Sequence, residues 1–81
     1  MDNSIDSTIA IVSKIIEDIT GIQGSDIKAD STFLDDLELS SLEILSVVGE
    51  IESRFSVKIS EKDLASIRTV RELAEVINNN Q

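Results

Sequence analysis

Residues 36–55 read DLELSSLEILSVVGEIESRF. From Ser41 onward the apolar residues fall three and four apart: Leu42, Leu45, Val48, Ile51 and Phe55, with Ile44 and Val47 widening the face. That spacing predicts an amphipathic helix over residues 41–55, because strands alternate with a period of two and this pattern does not, despite its β-branched residues. Gly49 weakens the helix by about 1 kcal/mol relative to alanine, so it is expected to mark either close approach by a neighbouring element or an unencumbered docking surface.

Working outward, residues 22–40 lack a regular period, yet Ile22, Ile27, Phe33, Leu34, Leu37 and Leu39 are spaced along them. A connection of this length inside a compact domain is functional, or else pinned by its apolar residues; pinning is expected here, with functional consequences at its end. Ahead of it, Ile5, Ile9, Val12, Ile15, Ile16 and Ile19 predict a first helix over residues 4–19, capped by Asn3 or Ser4 and ended at Thr20-Gly21, where glycine can turn left-handed. Beyond residue 55, Ser56 to Ile59 looks extended. Ser60-x-x-Asp63 then resembles the start of a short third helix containing Leu64 and Ile67. Thr69 and Glu72 have the spacing of a capping box, followed by a buried stripe of Val70, Leu73, Val76 and Ile77. The polar end, residues 78–81, is expected to fray. The expectation is one all-α domain over residues 1–81: a small four-helix bundle with a long loop between the first two helices and a short third helix.

The chain has 81 residues, 41% of them hydrophobic, which suffices for a small aliphatic core; Phe33 and Phe55 are its only aromatic residues. Without Cys or His it can form neither a disulfide nor a zinc site. Sixteen acids against seven bases leave a net charge of −9, a field that repels nucleic acid and anionic membranes and favours basic protein partners. Asp30, Asp35, Asp36, Glu38, Glu43, Glu50 and Glu52 occur with no Lys or Arg between Lys28 and Arg54. An acidic excess commonly means a solvated, soluble surface; its concentration in the middle third favours a docking face. The first residues lack the pattern of a secretory signal, and no stretch approaches membrane-spanning length, so a cytoplasmic protein without membrane insertion is expected.

The missing His and Cys also remove the usual neutral-pH general base and the thiol nucleophile. No catalytic residue is assigned, and a self-contained enzyme is not expected. Asp35, Asp36 and Glu38 lie close together, but their spacing fails the EF-hand pattern, so no metal site is assigned. The serine pair is more informative. Taken bare, Ser40-Ser41 is a helix cap. Two serines permit two jobs: Ser40 caps, while Ser41, in the first turn, presents a hydroxyl to solvent, where an attached phosphate would meet the favourable field of the helix N-terminus, opposed in part by the nearby acids.

The stretch Phe33-Leu34-x-Asp36-Leu37-x-x-x-Ser41-Leu42, followed by Glu52, Phe55, Ile59 and Thr69-Val70, resembles the acyl carrier protein family over nearly the whole chain. The resemblance implies that Ser41 carries 4′-phosphopantetheine, transferred from coenzyme A by a phosphopantetheinyl transferase, and that the arm's thiol holds acyl groups as thioesters for synthase and acyl-transferring enzymes with basic patches. A chain with no thiol of its own can carry thioesters only on an imported one. The resemblance also implies partner docking at Asp36, Glu38, Leu42, Glu43 and Glu52, and an acyl-chain cavity among Leu45, Val48, Ile51, Ile59, Leu64, Ile67 and Leu73, although core packing alone explains the helical stripe. Ser40 replaces the family's usual aspartate, Glu38 stands where glycine is common, and Ser46 and Gly49 occupy positions often acidic or bulky, which points to a specialised carrier. A monomer serving fatty-acid, polyketide or specialised lipid synthesis is expected; the alternatives are an amino-acid or peptidyl carrier and a non-modified helical interaction domain.

Overall fold

Leu42 and Leu45 do not share the buried face of their helix. In the computed structural model, which describes residues 5–80, α2 spans Ser41–Phe55 and buries Val47, Val48 and Ile51, with Ile44 and Phe55 half-buried. Leu42 is 77% exposed and Leu45 55%. The reason is angular. At about 100° per residue, Ile44, Val47, Val48 and Phe55 all lie within roughly 60° of Ile51, whereas Leu45 lies about 120° away and Leu42 about 180°. Spacing by threes and fours drifts around the helix, so a stripe running from Leu42 to Phe55 spans two opposite faces.

Around this helix stand α1 (Ile5–Thr20), a single 3-10 turn (Gly24–Asp26), α3 (Glu61–Ser66) and α4 (Val70–Asn79). α1 packs most extensively against α4 and next against α2. It contributes Val12, Ile15 and Ile16, which meet Ile51, Val70, Leu73 and Ile77 in a core of fully or almost fully buried side chains. The one hydroxyl that α1 buries, on Thr8, is satisfied by donating to Asn78 Oδ1 of α4 at 2.8 Å. The helix ends at Thr20, one residue past the expected position. There Gly21 turns left-handed at φ 82° and donates its N–H to the Glu17 carbonyl at 2.9 Å. The expected caps Asn3 and Ser4 lie outside the described residues.

The long connection is pinned, as its apolar residues suggested. Ile27, Phe33, Leu37 and Leu39 are buried, although Leu34 is 67% exposed. Main-chain bonds add a second restraint that no sequence pattern indicates. Phe33 donates to the Arg68 carbonyl at 3.0 Å, Val70 to Ser31 at 3.2 Å and Arg71 to Ala29 at 2.9 Å, with an isolated antiparallel bridge between Thr32 and Thr69. The loop is thereby stitched to the α3–α4 junction, and its last residues deliver Ser40 and Ser41 at a fixed place.

Residues 56–59 are not a strand. Ser56 is the left-handed C-cap of α2 at φ 56° and returns its N–H to the Glu52 carbonyl, which turns the chain back toward the core where Ile59 is buried. Ser60 caps α3 by accepting the Asp63 N–H at 3.0 Å, but α3 stops at Ser66 and leaves Ile67 just beyond its end. The Thr69–Glu72 capping box is complete, and α4 buries Val70, Leu73, Ala74 and Ile77 while Val76 is half-buried.

Gly49 is exposed, and a Cβ built on it would meet nothing within 4 Å, so close approach by a neighbour is not its explanation. Gly49→Ala is therefore expected to stabilise the fold by about 1 kcal/mol through helix propensity alone. Urea denaturation should show a raised midpoint at unchanged slope; an unchanged or lowered midpoint contradicts the open-surface reading.

Candidate functional site

The two serines at the head of α2 have different surroundings. Ser40 is the N-cap: its hydroxyl accepts the Glu43 N–H at 3.1 Å, and Glu43 Oε1 accepts the Ser40 N–H at 2.9 Å, completing a capping box. Both side chains are thus committed to ending the helix. Ser41, the first helical residue, is exposed, and its hydroxyl has no hydrogen-bond partner among the described residues. It also lies on the wall of a cleft of about 580 Å³.

Four elements build that cleft. The connection supplies Phe33, Leu34 and Leu39; α2 supplies Ile44, Val47 and Val48; the α3 region supplies Leu64 and Ile67; and α4 supplies Leu73. Thr32, Asp35, Ala65 and Arg68 complete the lining with Ser41. Of the seven residues expected in an acyl-chain cavity, Val48, Leu64, Ile67 and Leu73 line this one. Leu45 does not, because it stands on the outer side of α2. Ile51 and Ile59 are buried, at 0% and 8% exposure, but lie outside the lining, where they fill the core rather than bound a space. Phe33, Leu34, Leu39, Ile44 and Val47 line the cleft without having been expected there. Helical angles would have found Ile44 and Val47, which share the face of Val48; the three loop residues carry no signal beyond their hydrophobicity.

The acids expected at a docking face are not all free to serve one. Besides Glu43 in its capping box, half-buried Glu52 accepts the Ile59 N–H at 2.8 Å. Asp36 accepts the Thr32 N–H at 2.9 Å while its own N–H donates to Thr32 Oγ1 at 3.0 Å. Glu38 is exposed and adopts φ 53°, the left-handed region that costs a side-chain-bearing residue roughly 1–2 kcal/mol and glycine almost nothing. A glycine would suit that backbone, as the sequence comparison with the family implied. Leu42 projects beside Ser41 with most of its surface in solvent.

Among the described residues no group of three or more His, Cys, Asp or Glu side chains is placed to hold a metal ion, and no helix is long and apolar enough to cross a membrane. A phosphate-linked arm, in contrast, fits the local chemistry. It needs an accessible alcohol not already spent on capping, donors for its phosphate and a groove beside it. Ser41 provides the alcohol, the α2 N-terminus the donors, and the cleft the groove.

Comparison with known proteins bears on the same features. A family model described as the phosphopantetheine attachment site matches residues 10–77. An acyl carrier protein of Rhodococcus erythropolis is 34% identical over 77 residues, which are 95% of this chain and 85% of that one. The meromycolate extension acyl carrier protein of Mycobacterium tuberculosis is 39% identical over 69 residues, 85% of this chain and 60% of the relative. The solution structure of the apo doublet acyl carrier protein from prodigiosin biosynthesis matches with a TM-score of 0.81 at 16% identity, covering 94% of this chain and 37% of that one, a likeness of fold. Fold and site together define a phosphopantetheine-binding carrier domain. The chain belongs to the acyl carrier protein family, whose members are carriers rather than enzymes, and its cofactor is phosphopantetheine.

Proposed function

We propose that Ser41 is the attachment point of the arm and that this chain carries aliphatic acyl groups on it for enzymes of fatty-acid, polyketide or specialised lipid synthesis. The observation that carries the assignment is the division of labour between the serines: the Ser40 oxygen is engaged as a cap, whereas the Ser41 oxygen is unpartnered among the described residues and its residue is exposed on the wall of the cleft. When bound, phosphopantetheine supplies the thiol for thioester formation that the polypeptide lacks. The chain's own residues hold and orient. The capping box fixes the first turn of α2 and so the place from which the Ser41 side chain projects. Phe33, Leu39, Val47, Val48 and Leu73 offer an apolar wall that would shelter a hydrocarbon chain from water. Such a lining favours aliphatic cargo over amino-acid or peptidyl groups, and the meromycolate name of the mycobacterial relatives is consistent with long-chain lipid. The test is an intact-mass measurement after treatment with coenzyme A and a broad-specificity phosphopantetheinyl transferase, with substitutions at each serine.

Docking is proposed to use Glu38, Glu43 and Leu42, which lie within three residues of Ser41 in the sequence, with the charges steering basic partners. Because Glu43 also caps, a charge reversal there would confound recognition with folding. Glu43→Gln is the cleaner variant, since glutamine retains capping-box geometry. Paired with Glu38→Gln, it is expected to slow arm transfer several-fold at low ionic strength, and the difference from the parent should vanish at high salt. Transfer rates that match the parent at every ionic strength count against an acidic docking surface.

A further inference from the structure

Two charged side chains line the cleft, Asp35 and Arg68. Of the three arginines in the chain, Arg54 pairs with Glu50 at 3.0 Å and Arg71 with Asp30 at 3.7 Å. The Arg68 guanidinium has no ion-pair or hydrogen-bond partner among the described residues. Its backbone is firmly held: the N–H donates to Glu72 Oε1 at 2.7 Å and the carbonyl accepts the Phe33 N–H at 3.0 Å. The Cα is therefore anchored where the long loop crosses the α3–α4 junction, and only the side chain is left to move. Sixteen acids are available in this sequence, yet this guanidinium sits unpaired on the rim of a mainly apolar cleft that Ser41 shares. A planar fork of N–H donors suits an oxyanion with two acceptor oxygens, phosphate or carboxylate.

We infer that Arg68 is a positioning residue of the loaded carrier, its guanidinium donating to an anionic oxygen that loading at Ser41 brings to the cleft. The inference rests on the Ser41 reading above. Two oxygens have this chemistry: the non-bridging oxygens of the phosphodiester, present in every loaded molecule, and the carboxylate of an acyl group that ends in an acid, present only with such cargo. Asp35 repels either one, which leaves Arg68 as the attractive side of the cleft. Arg68 is exposed, so water and salt screen the contact. It biases the arm to lie over the cleft and contributes little to the stability of the fold.

The experiment follows the Arg68 Nε–Hε resonance, identified by its loss in Arg68→Gln, through the apo protein, the protein carrying the arm, and the acetyl- and malonyl-loaded forms. The phosphorus resonance of the arm is compared between the parent and Arg68→Gln. Intact mass is recorded at each stage. The expected result is a shift of the Nε–Hε resonance on arm addition, a displaced phosphorus resonance in Arg68→Gln, and loss of both differences at high salt. A resonance that moves only with malonyl and not with acetyl or the bare arm supports the inference with the cargo carboxylate as the oxygen. Added mass with a stationary Arg68 at every stage overturns this inference alone. Absence of the added mass overturns the Ser41 reading and this inference with it.

Discussion

Ser41→Ala is expected to stay at its unmodified mass after exposure to coenzyme A and a phosphopantetheinyl transferase, while the parent gains one arm per chain. The effect is all or none because the serine oxygen is the bonding atom; no neighbouring side chain can substitute for it at the same place. Ser40→Ala makes the sharper comparison. It removes the cap hydroxyl that accepts the Glu43 N–H, so it is expected to lose about 1 kcal/mol of stability and still gain the arm. Ser41→Ala should change stability by no more than about 0.5 kcal/mol, since its hydroxyl is exposed and makes no intramolecular bond. The two variants thus separate a structural serine from a functional one by opposite outcomes in mass and melting. Arm addition to Ser41→Ala, or its loss in a folded Ser40→Ala, would reverse the assignment.

A large loss of stability is expected at Ile51. Its side chain is fully buried among Val12, Ile15, Ile16 and Ile77 in the shared core, and truncating a buried isoleucine to alanine costs about 2–5 kcal/mol through lost transfer energy and the cavity left behind. Against a total of roughly 4–12 kcal/mol for a chain of this length, Ile51→Ala is expected to bring the fold close to its limit, seen as a large drop in the urea midpoint. Leu45→Ala, in the same apparent stripe six residues before Ile51, should change stability by no more than about 0.5 kcal/mol, because Leu45 is 55% exposed. Similar losses for the two would mean that the buried face of α2 has been placed wrongly.

That contrast locates the boundary between sequence and structure. Local chemistry was readable from the chain: α2 spans residues 41–55, as its spacing and the Ser40 cap predict, and the Thr69–Glu72 box opens α4, because capping needs only a side chain and an N–H three residues apart. The serine pair, its position after a long loop and the absence of any thiol were likewise legible, and they carried the resemblance to a carrier. Charge was legible as a total but not as a set of roles. Whether Glu52 faces solvent or accepts the Ile59 N–H depends on how the chain turns back after Ser56, which has no sequence signature.

The sequence by itself determined the helices, the caps at Ser40, Ser60 and Thr69, and the Ser41 alcohol left over from capping at the head of α2, since each depends on neighbours within a few residues. Only the tertiary structure decided where empty space remains. The cleft exists because residues 31–33 bond to the α3–α4 junction and hold Phe33 and Leu39 opposite Ile44, Val47 and Leu73. Contacts made across that many residues follow from the packing of whole elements, and the same packing brings the unpaired Arg68 to the cleft that Ser41 also lines.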